Sequence, residues 1–205
     1  MSDQVELTDP VEHSVGGLSG HIARRAFHIS MAIIPWLWFE HGETIAGAFN
    51  ISMAQFASAV IISFAIAEAV RLKLGITVFG QRDYESKQVS ALAWGTFAIG
   101  LAFLTIPERP ELVYPLVLSL SFGDPFLGEL RRRDFNSQQV FLGGTIFIAL
   151  IWGVGWHLLG TPLFMVPLMA PICVAAEWPR LRWIDDNATM LLIPLAVVLL
   201  LIPWL

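Results

Sequence analysis

Residues 110–133, PELVYPLVLSLSFGDPFLGELRRR, decide the fold. From Glu111 to Gly128 the stretch is almost wholly apolar, close to the roughly 20 residues that a helix needs to cross a bilayer core. It closes on Arg131, Arg132 and Arg133, and three arginines after a span mark a cytoplasmic end, because basic residues accumulate on that side. Asp124 sits inside the run. A carboxylate there is costly unless it is paired or lines a polar cavity, so it is a site candidate by default.

Working outward, six further apolar stretches cover residues 26–39, 45–70, 88–106, 140–159, 162–178 and 188–205. The first is short, so it is expected to begin earlier, with Arg24 and Arg25 at the headgroups, and to take in residues 40–44 at its far end. Seven spans at about 20 residues each use roughly 140 residues. The remainder of the 205 makes an N-terminal tail and short loops, with no room for a soluble domain. Arginine and lysine placement supports the count. With the N-terminus inside, the inner segments hold Arg24 and Arg25, then Arg71, Lys73, Arg82 and Lys87, then Arg131 to Arg133, then Arg180 and Arg182; only Arg109 falls outside. The expected architecture is therefore an all-α polytopic membrane bundle of about seven transmembrane helices, N-terminus inside and C-terminus outside. Residues 21–205 form one transmembrane domain behind a polar, mobile tail of residues 1–20. That tail is acidic (Asp3, Glu6, Asp9, Glu12) and lacks the basic start of a signal peptide.

Composition agrees. A chain with 56% hydrophobic and 14% charged residues cannot clothe a soluble surface. A net charge of -5 excludes a nucleic-acid binder. The single cysteine, Cys173, permits no internal disulfide. The only lysines, Lys73 and Lys87, lie in a loop, which excludes a retinal Schiff base within a span.

Most polar groups able to do chemistry map to the inner side: His28, Glu68, Arg71, Asp124, Glu177, and the Asp185-Asp186-Asn187 run. One shared inward-facing pocket is the economical reading. Arg24 and Arg25 stand four and three residues before His28, one helical turn away, and Glu68 and Arg71 are spaced to pair, unless both sets merely snorkel at the interface. Gly123-Asp124-Pro125 is expected to break the fourth helix and to offer a carboxylate suited to Mg²⁺ or to a general base. Gly143, Gly144 and Thr145, in the first turns of the fifth span, either present free amides to phosphate or pack tightly against a neighbouring helix. Either Asp185 or Asp186 caps the last helix, which frees the other for metal.

In order, these elements resemble the CTP-dependent lipid-alcohol kinases, the family of dolichol kinase, phytol kinase and the CTP-using diacylglycerol kinases. The resemblance runs from about His21 to Pro194 and rests on four pieces. Ile22-Ala23-Arg24-Arg25-Ala26-Phe27-His28 is similar to an Arg-Lys-x-x-His opening, with Arg25 where lysine is usual. Glu68-Ala69-Val70-Arg71 is similar to an acidic-x-x-Arg close of the second helix. Ser121-Phe122-Gly123-Asp124 is similar to a Gly-Asp or Ser-Asp element, and Glu177 with Trp183-Ile184-Asp185-Asp186-Asn187 and Pro194 resembles the closing motif. The chain departs where a Lys-Ser-x-x-Gly-Ser element is usual. Val140-Phe141-Leu142-Gly143-Gly144-Thr145 keeps its end without the lysine, so a phosphate-binding cation is missing unless Arg132 or Arg133 substitutes. Residues 123–132 also look faintly like the Gly-Asp signature of CTP-dependent phosphatidate cytidylyltransferases.

The resemblance implies transfer of the γ-phosphoryl of CTP, with Mg²⁺, to a polyprenol, phytol or diacylglycerol-type lipid alcohol at the cytoplasmic face; the membrane is expected to be a prokaryotic cell membrane rather than that of an organelle. It implies Asp124, His28 and Arg25 as catalytic residues and Asp124, Glu177 and Asp186 as metal ligands. It further implies Arg24, Glu68, Arg71, Arg132, Arg133, Gly143, Gly144 and Asn187 around the nucleotide. A cytidylyltransferase making a CDP-lipid, or a non-catalytic lipid-binding relative, are the alternatives.

Overall fold

The computed structural model describes Val11, residues 13–179, Leu181 and residues 183–205. The tail acids Asp3, Glu6, Asp9 and Glu12, and Arg180 and Arg182, expected in an inner loop, lie outside them. Among the described residues the chain is all helical, with one isolated bridge, Ser14 to Arg82. Seven rods form. α1 occupies residues 17–48, α2 Met53–Leu74, α3 Ala91–Thr105, α4 Pro110–Arg132, α5 Ser137–Leu159, α6 Met165–Glu177 and α7 Asp186–Leu201.

α1 is irregular for a local reason. Pro35 has no N–H and its ring presses on the carbonyl four residues earlier. The helix responds by tightening to 3₁₀ over Met31–Ile33 and loosening to a π-turn over Leu37–His41 before Gly42–Ala48 resumes regular helix. The rod therefore starts before Arg24 and runs past residue 44, as the short first apolar stretch required. The part of the expected mobile tail within the described residues is held instead. Val15 N donates to Gln81 O (2.8 Å), Asp83 N donates to His13 O (3.1 Å), and α1 begins at Gly17.

α2 and α5 each start with a capping box. Ser52 Oγ accepts from Gln55 N while Gln55 Oε1 accepts from Ser52 N, and Asn136 and Gln139 repeat the arrangement. Both helices end on a left-handed glycine, Gly75 (φ 65°) and Gly160 (φ 80°), the conformation that closes a helix without a Cβ clash. α4 is the centre of the bundle. Leu112, Val113, Leu116, Val117, Leu120 and Leu127 are all fully buried beneath the other helices. It does not break at Asp124. The helix is continuous through both Pro115 and Pro125 because its neighbours hold it: a Cβ on Gly123 would already meet Met190 Cε and Ile148 Cδ1.

The outer faces are the reverse of a soluble surface. Ile62, Ile66, Val70 and Leu74 on α2, and Leu142, Ile146, Leu150, Val154 and Leu158 on α5, form exposed apolar rows at a spacing of four residues. Contiguous apolar faces of this extent mark contact with a nonaqueous phase or a partner. Three helices, Met53–Leu74, Ser137–Leu159 and Asp186–Trp204, are long and apolar enough to cross a membrane.

Candidate metal and phosphate site

Polar contacts gather at one end of the bundle and join segments far apart in sequence. Arg24 of α1 pairs with Glu85 of the 75–90 loop (2.7 Å), Arg25 with Glu129 of α4 (2.9 Å), and Arg131 of α4 with Glu177 of α6. The opposite end holds Arg109, paired with Glu111, whose carbonyl accepts from Thr161 Oγ1. Arg24, Arg25, Arg71, Arg82 and Arg131 to Arg133 thus share one end and Arg109 the other.

At the centre of the charged end three carboxylates from three helices converge. Asp124 of α4, Glu177 of α6 and Asp186 of α7 each offer an oxygen, and these lie within 4.8 Å of one another. The helix phases explain it. Asp124 is carried inward on the buried face of α4 with Ser121 and Leu127, Glu177 closes α6 on its buried side, and Asp186 opens α7. Asp185 is the residue that caps α7, accepting from Asn187 N (3.1 Å), while an oxygen of Asp186 faces the other two acids. Burial, together with the adjoining Asp186 charge, pushes the Asp185 carboxyl well above the usual range.

Three hard oxygen donors suit Mg²⁺ and exclude a soft-metal preference. Oxygens bound to Mg²⁺ at about 2.1 Å are separated by about 3 Å when adjacent and about 4.2 Å when opposite.

His28 of α1 lies against the cluster, with Nδ1 3.2 Å from Asp124 Oδ2, yet Nδ1 makes no hydrogen bond and is buried. A neutral imidazole nitrogen and an ionised carboxylate are both acceptors, so the contact is favourable only with a proton between them. Asn187 donates to Ala91 O (3.4 Å) and leaves its own buried Oδ1 without a partner. Arg131 grips Glu177 with both guanidinium nitrogens and lies over Trp178, 4.9 Å from the ring centroid.

The remaining candidates lie apart from the three acids. Arg25, Arg132 and Arg133 all converge on Glu129 at the rim. Glu68 and Arg71 make a separate clasp. Arg71 Nε and Nη2 hold the Glu68 carboxylate, and its remaining donors reach Ile76 O, Glu85 O and Gln88 O, while Glu68 also accepts from Ser90 N (2.5 Å). With every contact directed at the 75–90 loop, this pair fastens a loop and has no free donor for phosphate. Gly143 and Gly144 are likewise packing positions. They lie past the capped first turn of α5, and a Cβ on Gly144 would meet Leu127 and Val174 side chains.

Sequence spacing missed the contribution of the 75–90 loop. Glu85, buried to 1% exposure, holds Arg24, and Arg82 Nη1 donates to Tyr84 Oη (2.9 Å). Burial raises the Tyr84 phenol above its ordinary value. Arg82 was visible only as one more basic residue in an inner loop. No family model, curated protein or solved structure matches the chain.

Proposed function

We propose that the chain is an integral-membrane kinase that transfers the γ-phosphoryl of CTP to a lipid alcohol at the cytoplasmic face of a prokaryotic cell membrane. In this reading all seven rods cross the bilayer, N-terminus inside and C-terminus outside. The gathering of basic residues at one end of the bundle supports that orientation. The observation that carries the reading is the convergence of Asp124, Glu177 and Asp186 beside His28, with Arg131 bound to Glu177. Carboxylates next to cations at a membrane face fit a metal–polyphosphate ligand, and phosphoryl transfer asks the protein mainly for positioning and charge compensation.

Asp124, Glu177 and Asp186 would hold Mg²⁺, which when bound neutralises and orients phosphate oxygens. Arg131 holds both oxygens of Glu177 and keeps the carboxylate aimed at the same point. Arg24, fixed by Glu85, and Arg25, on the rim with Glu129, add positive charge where the triphosphate enters. His28 Nε2 takes the proton of the acceptor hydroxyl, and Asp124, 3.2 Å from Nδ1, holds the ring and stabilises the resulting imidazolium. Such base catalysis contributes about 10²- to 10⁴-fold. The apolar rows on α2 and α5 face acyl chains, so the lipid approaches sideways.

The test uses purified protein in lipid nanodiscs with Mg²⁺, a panel of polyprenol, phytol and diacylglycerol acceptors, and CTP labelled at either the α or the γ phosphorus. Label from the γ position is expected in lipid. Label from the α position in lipid, with γ label in pyrophosphate, would make the protein a cytidylyltransferase. Lipid binding without turnover of either label would make it a non-catalytic binder.

A further inference from the structure

Among the described residues, Arg82 is the arginine that has no carboxylate within ion-pairing distance. Arg24, Arg25, Arg71, Arg109, Arg131, Arg132 and Arg133 are each bound to a glutamate. The side-chain partner of Arg82 is the neutral Tyr84 hydroxyl, at 2.9 Å, and its guanidinium carbon stands 5.9 Å from the centroid of that ring. The loop that carries it lies against α1 just before His28: a Cβ on Gly80 would meet Gly20 O and come within 3.5 Å of Arg24 N, one helical turn from the histidine that touches Asp124.

Nor is its backbone loose. Arg82 bridges to Ser14, Gly80 N donates to Val15 O (3.0 Å), and Arg71 holds the loop carbonyls of Ile76, Glu85 and Gln88. A partly buried guanidinium on a clamped loop, with no carboxylate bound to it, is poised for a polyanion.

We infer that Arg82, positioned by Tyr84, binds the distal phosphates of a water-soluble polyphosphate donor on the opposite side from the carboxylates. The inference rests on the nucleotide-dependent reading above and deepens it by naming the residue that grips the phosphate chain. A soluble donor is favoured over a lipid headgroup because the loop carrying Arg82 is polar, with Asp83, Glu85, Ser86 and Lys87 beside it.

The experiment measures binding of inorganic tripolyphosphate, with Mg²⁺ present, to the full chain in phosphatidylcholine nanodiscs, and repeats it in nanodiscs containing phosphatidic acid. Wild-type protein is expected to bind tripolyphosphate. R82A is expected to bind it about 10- to 100-fold more weakly, as loss of a charge-assisted contact requires. R82K should recover part of the affinity, and Y84F should lose a few-fold. R82K also covers the case in which R82A fails to fold, since it keeps the charge while losing the fork. Unchanged tripolyphosphate affinity in R82A or R82K would overturn the inference alone. So would a loss confined to phosphatidic acid. Absence of tripolyphosphate and CTP binding by the wild-type protein would overturn this inference and the kinase reading together. γ-Label in pyrophosphate with intact R82-dependent binding would remove only the kinase reading.

Discussion

Two clusters of acids and arginines lie at the same end of the bundle and differ in completeness. In the Glu68–Arg71 clasp every donor of the guanidinium's grip has an oxygen to meet, and Glu68 accepts from Ser90 N as well. In the Asp124–Glu177–Asp186 cluster three acids face one another, His28 Nδ1 and Asn187 Oδ1 are buried without a hydrogen bond, and Arg82 stops at a phenol. A closed network rigidifies what it joins. An open one retains charge that the fold does not use, and such leftover charge is where ligands are recognised.

Neutralising Asp124 should separate the two clusters most sharply. D124N is expected to lower γ-phosphoryl transfer about 10³-fold, in the range for losing one preorganised electrostatic contact, while the unfolding midpoint in micelles stays level or rises as like-charge repulsion falls. A marked fall in thermal stability would place Asp124 with the structural group instead. R71A should do the opposite. It strands Glu68 and releases three carbonyls, so a loss of about 3 kcal/mol is expected, read by denaturant unfolding, with the 75–90 loop becoming protease-sensitive. Retained stability would dissolve the contrast.

A smaller effect probes the open cluster without turnover. Mg²⁺ at ten times its Kd should stabilise the protein by about 1.4 kcal/mol by mass action. The same addition should do nothing for E177Q or D186N, as measured by differential scanning fluorimetry. The smallest change marks the background against which both clusters are judged. N136A removes a capping box at the start of α5, should cost about 1 kcal/mol, and should leave phosphoryl transfer unaltered. Lost transfer in that variant would mean that the α5 N-terminus does more than hold its helix.

Much of this was legible in the chain. Hydropathy marked seven apolar stretches, and the structure has seven rods over the same regions. The i, i+3 spacing of Glu68 and Arg71 gave their pairing. The choice between Asp185 and Asp186 as cap could be framed but not made, because both sit at the same helix start and only the direction of α7 toward α4 and α6 separates them. The expected break at Gly123-Asp124-Pro125 was wrong for a related reason. A proline weakens an isolated helix, but here α4 is packed so closely against Met190 and Ile148 of two other helices that Gly123 has no room for a Cβ, and the backbone stays helical through Pro125. The phosphate reading of Gly143 and Gly144 gives way similarly to packing against Leu127, Leu130 and Val174.

The sequence by itself determined what depends on composition and short spacing: an all-helical, strongly apolar chain, its helix ends, its alternation of basic residues, and the identity of the acids worth watching. These properties follow from solvation and helical period, which act over a few residues. Only the tertiary structure decided which partner each charge takes. Arg24 reaches Glu85 across 61 positions, Arg25 reaches Glu129 across 104, and Arg82 is left on a phenol with no carboxylate bound to it. Such choices depend on how rods are rotated and packed, and no local spacing encodes that.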